Sequence, residues 1–361
     1  MKRTSLVCLF FLKTKIVVGM PVPVSYTHLD VYKRQGFGRI GRLVFRLAEL
    51  DPDVEVVAIN NPSDLECAAY LTKYDSSQGR VFEECYAKEG ALVVEGHEIK
   101  AFQTREPKEL DWASVGAEVV IESTGRLKTG EACQVHLDNG AKKVVISAPG
   151  TDVDATIVMG VNQDVYDPAT MNIVSNASCT TNCLAPFAKV LNDSFGIKRG
   201  LMNTIHAYTN DQKILDVHHK DFRRSRAAAL SMIPTSTGAA KAVGLVLPSL
   251  QGKLDGFATR VPTPTGSMVD LTAELERDVT VDEINAAMKA AAEGPMKGIL
   301  EYCVDPIVSC DIIGDLHSSI FDSKLTKVLG GEGNFVKCIS WYDNEMGYSA
   351  RCIDLAKFLV A

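Results

Sequence analysis

Gly36-Phe37-Gly38-Arg39-Ile40-Gly41 is the stretch from which the fold is read. Three glycines at this spacing permit a tight turn, a close backbone approach to a ligand and a helix packed hard on a strand. The spacing alone also fits an ordinary glycine turn, so its context decides. Ile40, Leu43, Val44 and Leu47 recur at helical spacing behind it, and residues 54–59 form a nearly continuous β-branched run, as a buried parallel strand requires. Val119-Val120-Ile121 and Val144-Val145-Ile146-Ser147 are two more such runs, each giving way to small or hydroxyl residues. Strand–helix alternation of this kind predicts an α/β, Rossmann-type doubly wound parallel sheet with its ligand at the strand C-termini.

Further on, the strands lengthen and the helices separate. Residues 200–207, 256–262, 267–275 and 338–341 read as strands, 282–292 as an Ala-rich helix and 343–360 as a closing helix. The expectation is a second, α+β catalytic domain with a mainly antiparallel sheet over 179–342. The first domain spans 36–178 and is completed by the C-terminal helix (343–361). Residues 1–35 stand apart as an atypical segment.

A chain of 361 residues is longer than one hydrophobic core usually serves. The net charge of −7, spread without long blocks, argues against a dedicated nucleic-acid site or an acidic membrane as partner. The ten cysteines are scattered with no CxxC pair, which fits reduced thiols in a cytoplasmic protein. Lys2-Arg3 and the apolar residues 6–12 imitate a signal sequence, but no small-residue cleavage site follows, and the run is too short to span a bilayer.

The chemistry concentrates in Ser175-Asn176-Ala177-Ser178-Cys179-Thr180-Thr181-Asn182-Cys183-Leu184-Ala185-Pro186. Here an extended run (171–174) gives way to a helical pattern (184–191). A thiol at a helix N-terminus meets the positive end of the backbone dipole and unpaired N–H groups, and both favour thiolate. Ser178 and Thr180 add donors for an oxyanion or phosphate. The bland alternative is a buried core cysteine in a capped helix. Cys183 lies one turn on, but no further metal ligands stand at short spacing, so no metal is expected.

This run resembles the active-site segment of the phosphorylating glyceraldehyde-3-phosphate dehydrogenase family. Similar segments follow in the family's order: residues 204–212 (TIHAYTNDQ), 222–229 (FRRSRAAA), 234–240 (PTSTGAA), 260–264 (RVPTP) and 340–349 (SWYDNEMGYS). The resemblance runs from about Gly36 to the C-terminus. It implies the glycolytic oxidation of glyceraldehyde 3-phosphate, with NAD and inorganic phosphate, to 1,3-bisphosphoglycerate. In that scheme Cys179 is the nucleophile and carries the thioester, and His206 is the base and thiolate partner. The substrate phosphate is expected on Thr209 and Arg260 with Arg226 nearby, and the attacking phosphate near Ser178, Thr180, Thr237 and Gly238. A solvated basic run is the alternative for Arg226. The cofactor is expected along Gly36, Gly38, Arg39, Ile40, Gly41, Asn61, Ser123, Thr124, Gly125 and Ser147, with Asn344 orienting the carboxamide and Tyr348 beside it. The resemblance also implies a homotetramer in which residues 212–233 pack on a neighbouring subunit. A relative acting on erythrose 4-phosphate and a non-enzymatic interaction protein on the same fold are the competing readings.

Two departures from the family stand out. An apolar strand should run straight into Gly36, yet residues 28–35 read HLDVYKRQ, while a plausible strand (residues 15–19, KIVVG) lies about sixteen residues too early. Residues 22–35 therefore read as a cloning or assembly artefact that replaced the true first strand. Second, the family's NAD users place an Asp after Asn60, where this chain has Asn61. An amide still bonds a ribose hydroxyl but repels no 2′-phosphate, and Val217-His218 replaces the Leu-Pro of NAD-specific relatives. Asp64 is a substitute acceptor. NAD is the expected cofactor, with NADP left open.

Overall fold

The computed structural model describes residues 14–18, as backbone alone, and 36–361. Its first sheet contains β1 (Thr14–Val18), β2 (Val54–Asn60), β3 (Cys85–Lys88), β4 (Ala91–Val94), β5 (His97–Phe102), β6 (Val119–Glu122), β7 (Lys143–Ile146), β8 (Ala155–Thr156) and β9 (Ile173–Ser175). They lie side by side as β3-β4-β5-β2-β1-β6-β7-β9-β8. Every pair from β5 to β8 is parallel, whereas β3, β4 and β5 form an antiparallel meander on one edge. β6 and β7 are buried at every residue, as their unbroken apolar runs require.

Gly36 opens the phosphate-type turn with φ +51°, and helix α1 (Arg39–Leu50) follows. A Cβ on Gly41 would lie 2.4 Å from the Gly36 carbonyl oxygen, so only glycine lets α1 sit this close to the turn. Beyond it come α2 (Leu65–Lys73) and α3 (Gly130–Asp138).

β1 corrects one expectation. Its backbone pairs in parallel with both β2 and β6, so residues 14–18 occupy the first-strand position between them. The strand read at residues 15–19 is therefore not too early to take that position. Residues 19–35, on which the artefact reading falls, lie outside the described residues.

The remainder builds a second layer pair. Helix α4 (Cys179–Phe195) leads into β10 (Ile197–Ala207), β11 (Ile233–Ser236), α5 (Ala239–Val246), β12 (Leu254–Val261), β13 (Ser267–Thr280), α6 (Val281–Glu293), β14 (Leu300–Cys303), β15 (Ser319–Asp322), β16 (Lys327–Val328) and β17 (Glu332–Tyr342). The strand order is β11-β12-β10-β13-β17-β15-β14, with β16 on β17. β10–β12 and β14–β15 are parallel and the other pairs antiparallel, as expected of a mainly antiparallel α+β sheet. Leu184, Phe187 and Leu191 of α4 are fully excluded from solvent in the core over this sheet. Each contributes roughly 2 kcal/mol by burial. Ser178 starts α4 by accepting the Thr181 N–H at 3.1 Å.

The last helix, α7 (Met346–Phe358), returns to the first sheet. Tyr348, Cys352 and Leu355 join the core around α1, and Lys357 Nζ reaches Asp51 at 3.0 Å and Asp53 at 3.1 Å. This return carries residues 343–348 across the mouth of the parallel sheet. No helix of the described residues is long and apolar enough to cross a membrane.

Candidate active site

A groove of about 740 Å³ runs from the N-terminus of α1 to the N-terminus of α4. One end is lined by Arg39, Ile40, Ser123, Gly125 and Ser147, the middle by Asn344 and Tyr348, and the far end by Ser178, Cys179, His206, Thr209 and Arg260.

At the far end, Cys179 is the first residue of α4 and His206 stands near the end of β10. Their Sγ and Nε2 atoms are 3.5 Å apart. His206 Nδ1 donates to the Ala207 carbonyl at 2.7 Å, a closer partner than the Arg260 guanidinium at 3.1 Å, and this leaves the Nε2 lone pair facing the sulfur. Burial, then the nearby Arg260 guanidinium, push His206 down to about 3. Burial pushes the Cys179 thiol up, against the pull of Arg260 and the Thr180 donors. Independent titration therefore opposes charge on both groups. The arrangement offers the sulfur one route to an anion, passage of its proton across the 3.5 Å gap, where Arg260 and the α4 N-terminus would stabilise the negative charge.

Arg260 Nη1 donates to the Ala207 carbonyl at 2.9 Å and Thr209 Oγ1 at 3.0 Å, and its Nε is buried without a partner. An unspent guanidinium donor beside a groove calls for an anion. Thr209 in turn donates to Asp211. Burial works against the Asp211 carboxylate, but the Thr209 hydroxyl and the charges of Arg260 and Arg224 outweigh it and hold its pKa below the usual range.

Ala177 adopts φ +54°, unusual for a residue with a Cβ, and Tyr348 Oη donates to its carbonyl at 3.0 Å. Ser267 Oγ donates to Asn344 Oδ1 at 2.8 Å and accepts the Ala207 N–H at 3.0 Å, tying Asn344 to the backbone next to His206.

At the other end the cradle fits a dinucleotide phosphate. Gly38 caps α1 without a side-chain bond, and a Cβ placed on it would meet nothing within 4 Å. Free helix N–H groups therefore face open groove. The Arg39 side chain is committed elsewhere, to Glu345 and to Asp75 at 2.8 Å, leaving its backbone for a ligand. Ser123 Oγ donates to the Gly36 carbonyl at 2.8 Å, and Ser147 Oγ to that of Glu122 at 3.0 Å.

Several expected residues are not gathered here. The Thr180 hydroxyl is buried against Tyr342 Oη at 2.8 Å, because the second position of α4 faces the sheet. Thr124 is bound back to Glu122. Thr237 and Gly238 stand at the start of α5, outside the groove lining. Arg226 is exposed and pairs with Asp216 at 2.8 Å within its own loop. Asn61 is buried, its amide donating to the Ser63 and Asp64 carbonyls at 3.3 Å. Asp64 accepts the Glu66 N–H at 2.9 Å as the cap of α2.

Three residues were missed. Arg224, two positions before Arg226, reaches Asp211 at 2.6 Å and Thr235 at 2.8 Å. Tyr342 links Thr180 to Thr204 and sets its ring edge-on to His206, 5.9 Å between centroids. Gln212 lines the groove with both amide atoms buried and unpaired. All three lie in the quoted segments; Gln212 and Arg224 stand in an aperiodic loop that gave no way to rank them, and Tyr342 reads as a core residue ending β17.

Comparison with known proteins agrees with this geometry. Residues 34–130 match the family described as "Glyceraldehyde 3-phosphate dehydrogenase, NAD binding domain", and residues 178–344 match its C-terminal domain. The chain is 58% identical over 326 residues to the glyceraldehyde-3-phosphate dehydrogenase of Geobacillus stearothermophilus, covering 90% of this chain and 97% of that one. Glyceraldehyde-3-phosphate dehydrogenase 1 of Bacillus cereus is 59% identical with the same coverage, and that of Bacillus subtilis 58% identical over 90% of this chain and 96% of its own. A parallel sheet with a free helix N-terminus, a thiol and imidazole at its mouth and these matches along most of the chain lead to one conclusion: the protein belongs to the glyceraldehyde-3-phosphate dehydrogenase family.

Proposed function

We propose that this protein oxidises glyceraldehyde 3-phosphate, with NAD and inorganic phosphate, to 1,3-bisphosphoglycerate. The observation that carries the proposal is the 3.5 Å approach of Cys179 Sγ to His206 Nε2 beside the unspent donor of Arg260. Cys179 adds to the aldehyde carbon as His206 takes the thiol proton, giving a hemithioacetal. Having passed that proton on, His206 is placed to accept the hemithioacetal hydroxyl proton. Bound NAD supplies the hydride acceptor for this oxidation. The product is a thioester on Cys179, and attack by phosphate releases the sulfur and conserves the acyl energy.

Arg260 and Thr209 are the groups we assign to the substrate phosphate, with Arg224 adding positive charge behind them. Ser178, Thr180, Thr237 and Gly238 remain the proposed surroundings of the attacking phosphate, Thr180 through its backbone. The cofactor is assigned to Gly36, Gly38, Arg39, Ile40, Gly41, Gly125, Ser147, Asn344 and Tyr348, chiefly through backbone N–H groups at the phosphate end. NAD is preferred over NADP because the family that residues 34–130 match is described by its NAD binding domain. The domains are assigned as 36–178 with 343–361, and 179–342. An assay of NADH formation with each substrate omitted in turn tests the whole scheme.

A homotetramer in the cytoplasm is the proposed form. Ile214, Phe222 and Leu230 of the 212–233 loop are 78–85% exposed on a single chain, an area that association would remove from water.

A further inference from the structure

Behind the groove lies a buried chain of polar groups that the chemistry above does not use. Glu122 ends β6, His136 lies in α3, and Trp112 precedes a short helical turn; all three are at most 1% exposed. Trp112 Nε1–H, which can only donate, reaches His136 Nδ1 at 3.2 Å. Nδ1 must then hold a lone pair, so the imidazole proton sits on Nε2, 3.3 Å from Glu122 Oε2. The other carboxylate oxygen of Glu122 accepts the Thr124 backbone N–H at 2.7 Å and the Thr124 hydroxyl. The Glu122 carbonyl accepts both the N–H and the hydroxyl of Ser147, at 2.9 and 3.0 Å. Ser123, Gly125 and Ser147, which line the groove, are thus grouped around one buried residue.

A carboxylate without solvent is costly unless its bonds are all made, and here every donor is directional. We propose that Trp112, His136 and Glu122 are positioning residues for the cofactor: through Thr124 they fix the 123–125 turn against which it lies. The proposal rests on the groove being the NAD site.

The chain of donors makes a neutral isostere fail in a particular way. In Glu122→Gln the amide nitrogen must face either His136 Nε2–H or the Thr124 N–H, and each is a donor. Relief requires His136 to move its proton to Nδ1, which the Trp112 indole blocks. Trp112→Phe removes that block.

Steady-state kinetics on the full-length protein test this. Glu122→Gln should raise KM for NAD about tenfold, with KM for the triose phosphate within about twofold and kcat at saturating NAD lowered far less. Trp112→Phe with Glu122→Gln should recover part of that loss, so the pair is less harmful than the two changes summed. If Glu122→Gln does not fold, Trp112→Phe alone should still raise KM for NAD about threefold and spare the triose phosphate. Equal rises in both KM values, an unchanged KM for NAD, or strictly additive variants would overturn the proposal. A thermal-shift titration of the unaltered protein separates the underlying reading: no stabilisation by NAD removes the cofactor site itself, and this proposal with it.

Discussion

His206 meets the Cys179 sulfur at 3.5 Å with one ring nitrogen and the Ala207 carbonyl at 2.7 Å with the other. The second bond fixes the ring so that the first points a lone pair at the thiol. His206→Asn should therefore slow alkylation of Cys179 by iodoacetamide about 100-fold at neutral pH, because the acceptor facing the thiol is lost while burial still holds the thiol up. At high pH, where hydroxide removes the proton, the two proteins should converge. Equal rates at neutral pH would show that His206 does not activate the sulfur.

Cys183 is the internal control. It is wholly buried, within 3.7 Å of the Ser340 carbonyl, and burial pushes its thiol up to about 12. Cys179→Ser should abolish dehydrogenase activity while cofactor binding survives, whereas Cys183→Ser should retain most of it. Turnover numbers for the two variants decide; comparable losses would unseat Cys179 as nucleophile.

Acid should destabilise the protein through His206. The folded ring stays neutral down to about 3, whereas an unfolded one takes up a proton near 6.5. Its contribution to stability is full above 6.5 and is lost as pH falls toward 3, at on the order of 1.4 kcal/mol per pH unit. Denaturation midpoints of the unaltered protein should fall more between pH 7 and pH 5 than those of His206→Asn. Parallel curves would mean that the ring is already charged at pH 5.

The glycine turn, the buried strands β6 and β7 and the thiol at the start of α4 were legible because periodicity and helix-end chemistry are local. β3, β4 and β5 went unread because they are short and mostly alternate with polar residues, their turns set by Gly90 and Gly96 at positive φ. Counting residues back from Gly36 misplaced the first strand, since pairing with β2 and β6 decides it and not the length of the connection. Thr180 was read as a groove donor, but the helix turns its hydroxyl onto Tyr342. Arg226 and Arg224 are two residues apart in a loop without period, and only the fold shows which one reaches Asp211.

Asn61 follows the last residue of β2 without a charge to repel a 2′-phosphate. Asn61→Asp should lower the NADP specificity constant about tenfold while changing that for NAD little. An equal effect on both cofactors would place position 61 away from the ribose.

The tetramer is open to light scattering on the purified protein. A mass near four times 39.2 kDa is expected, and a stable, active monomer would rule it out.

Phosphate dependence probes the central claim most directly, because only a thioester on Cys179 makes phosphate a substrate. NADH formation from glyceraldehyde 3-phosphate and NAD should be sustained with inorganic phosphate. Without phosphate it should stop after about one turnover per subunit, leaving acylated Cys179 detectable by mass spectrometry. Sustained turnover without phosphate, or a burst in Cys179→Ser, would contradict the mechanism.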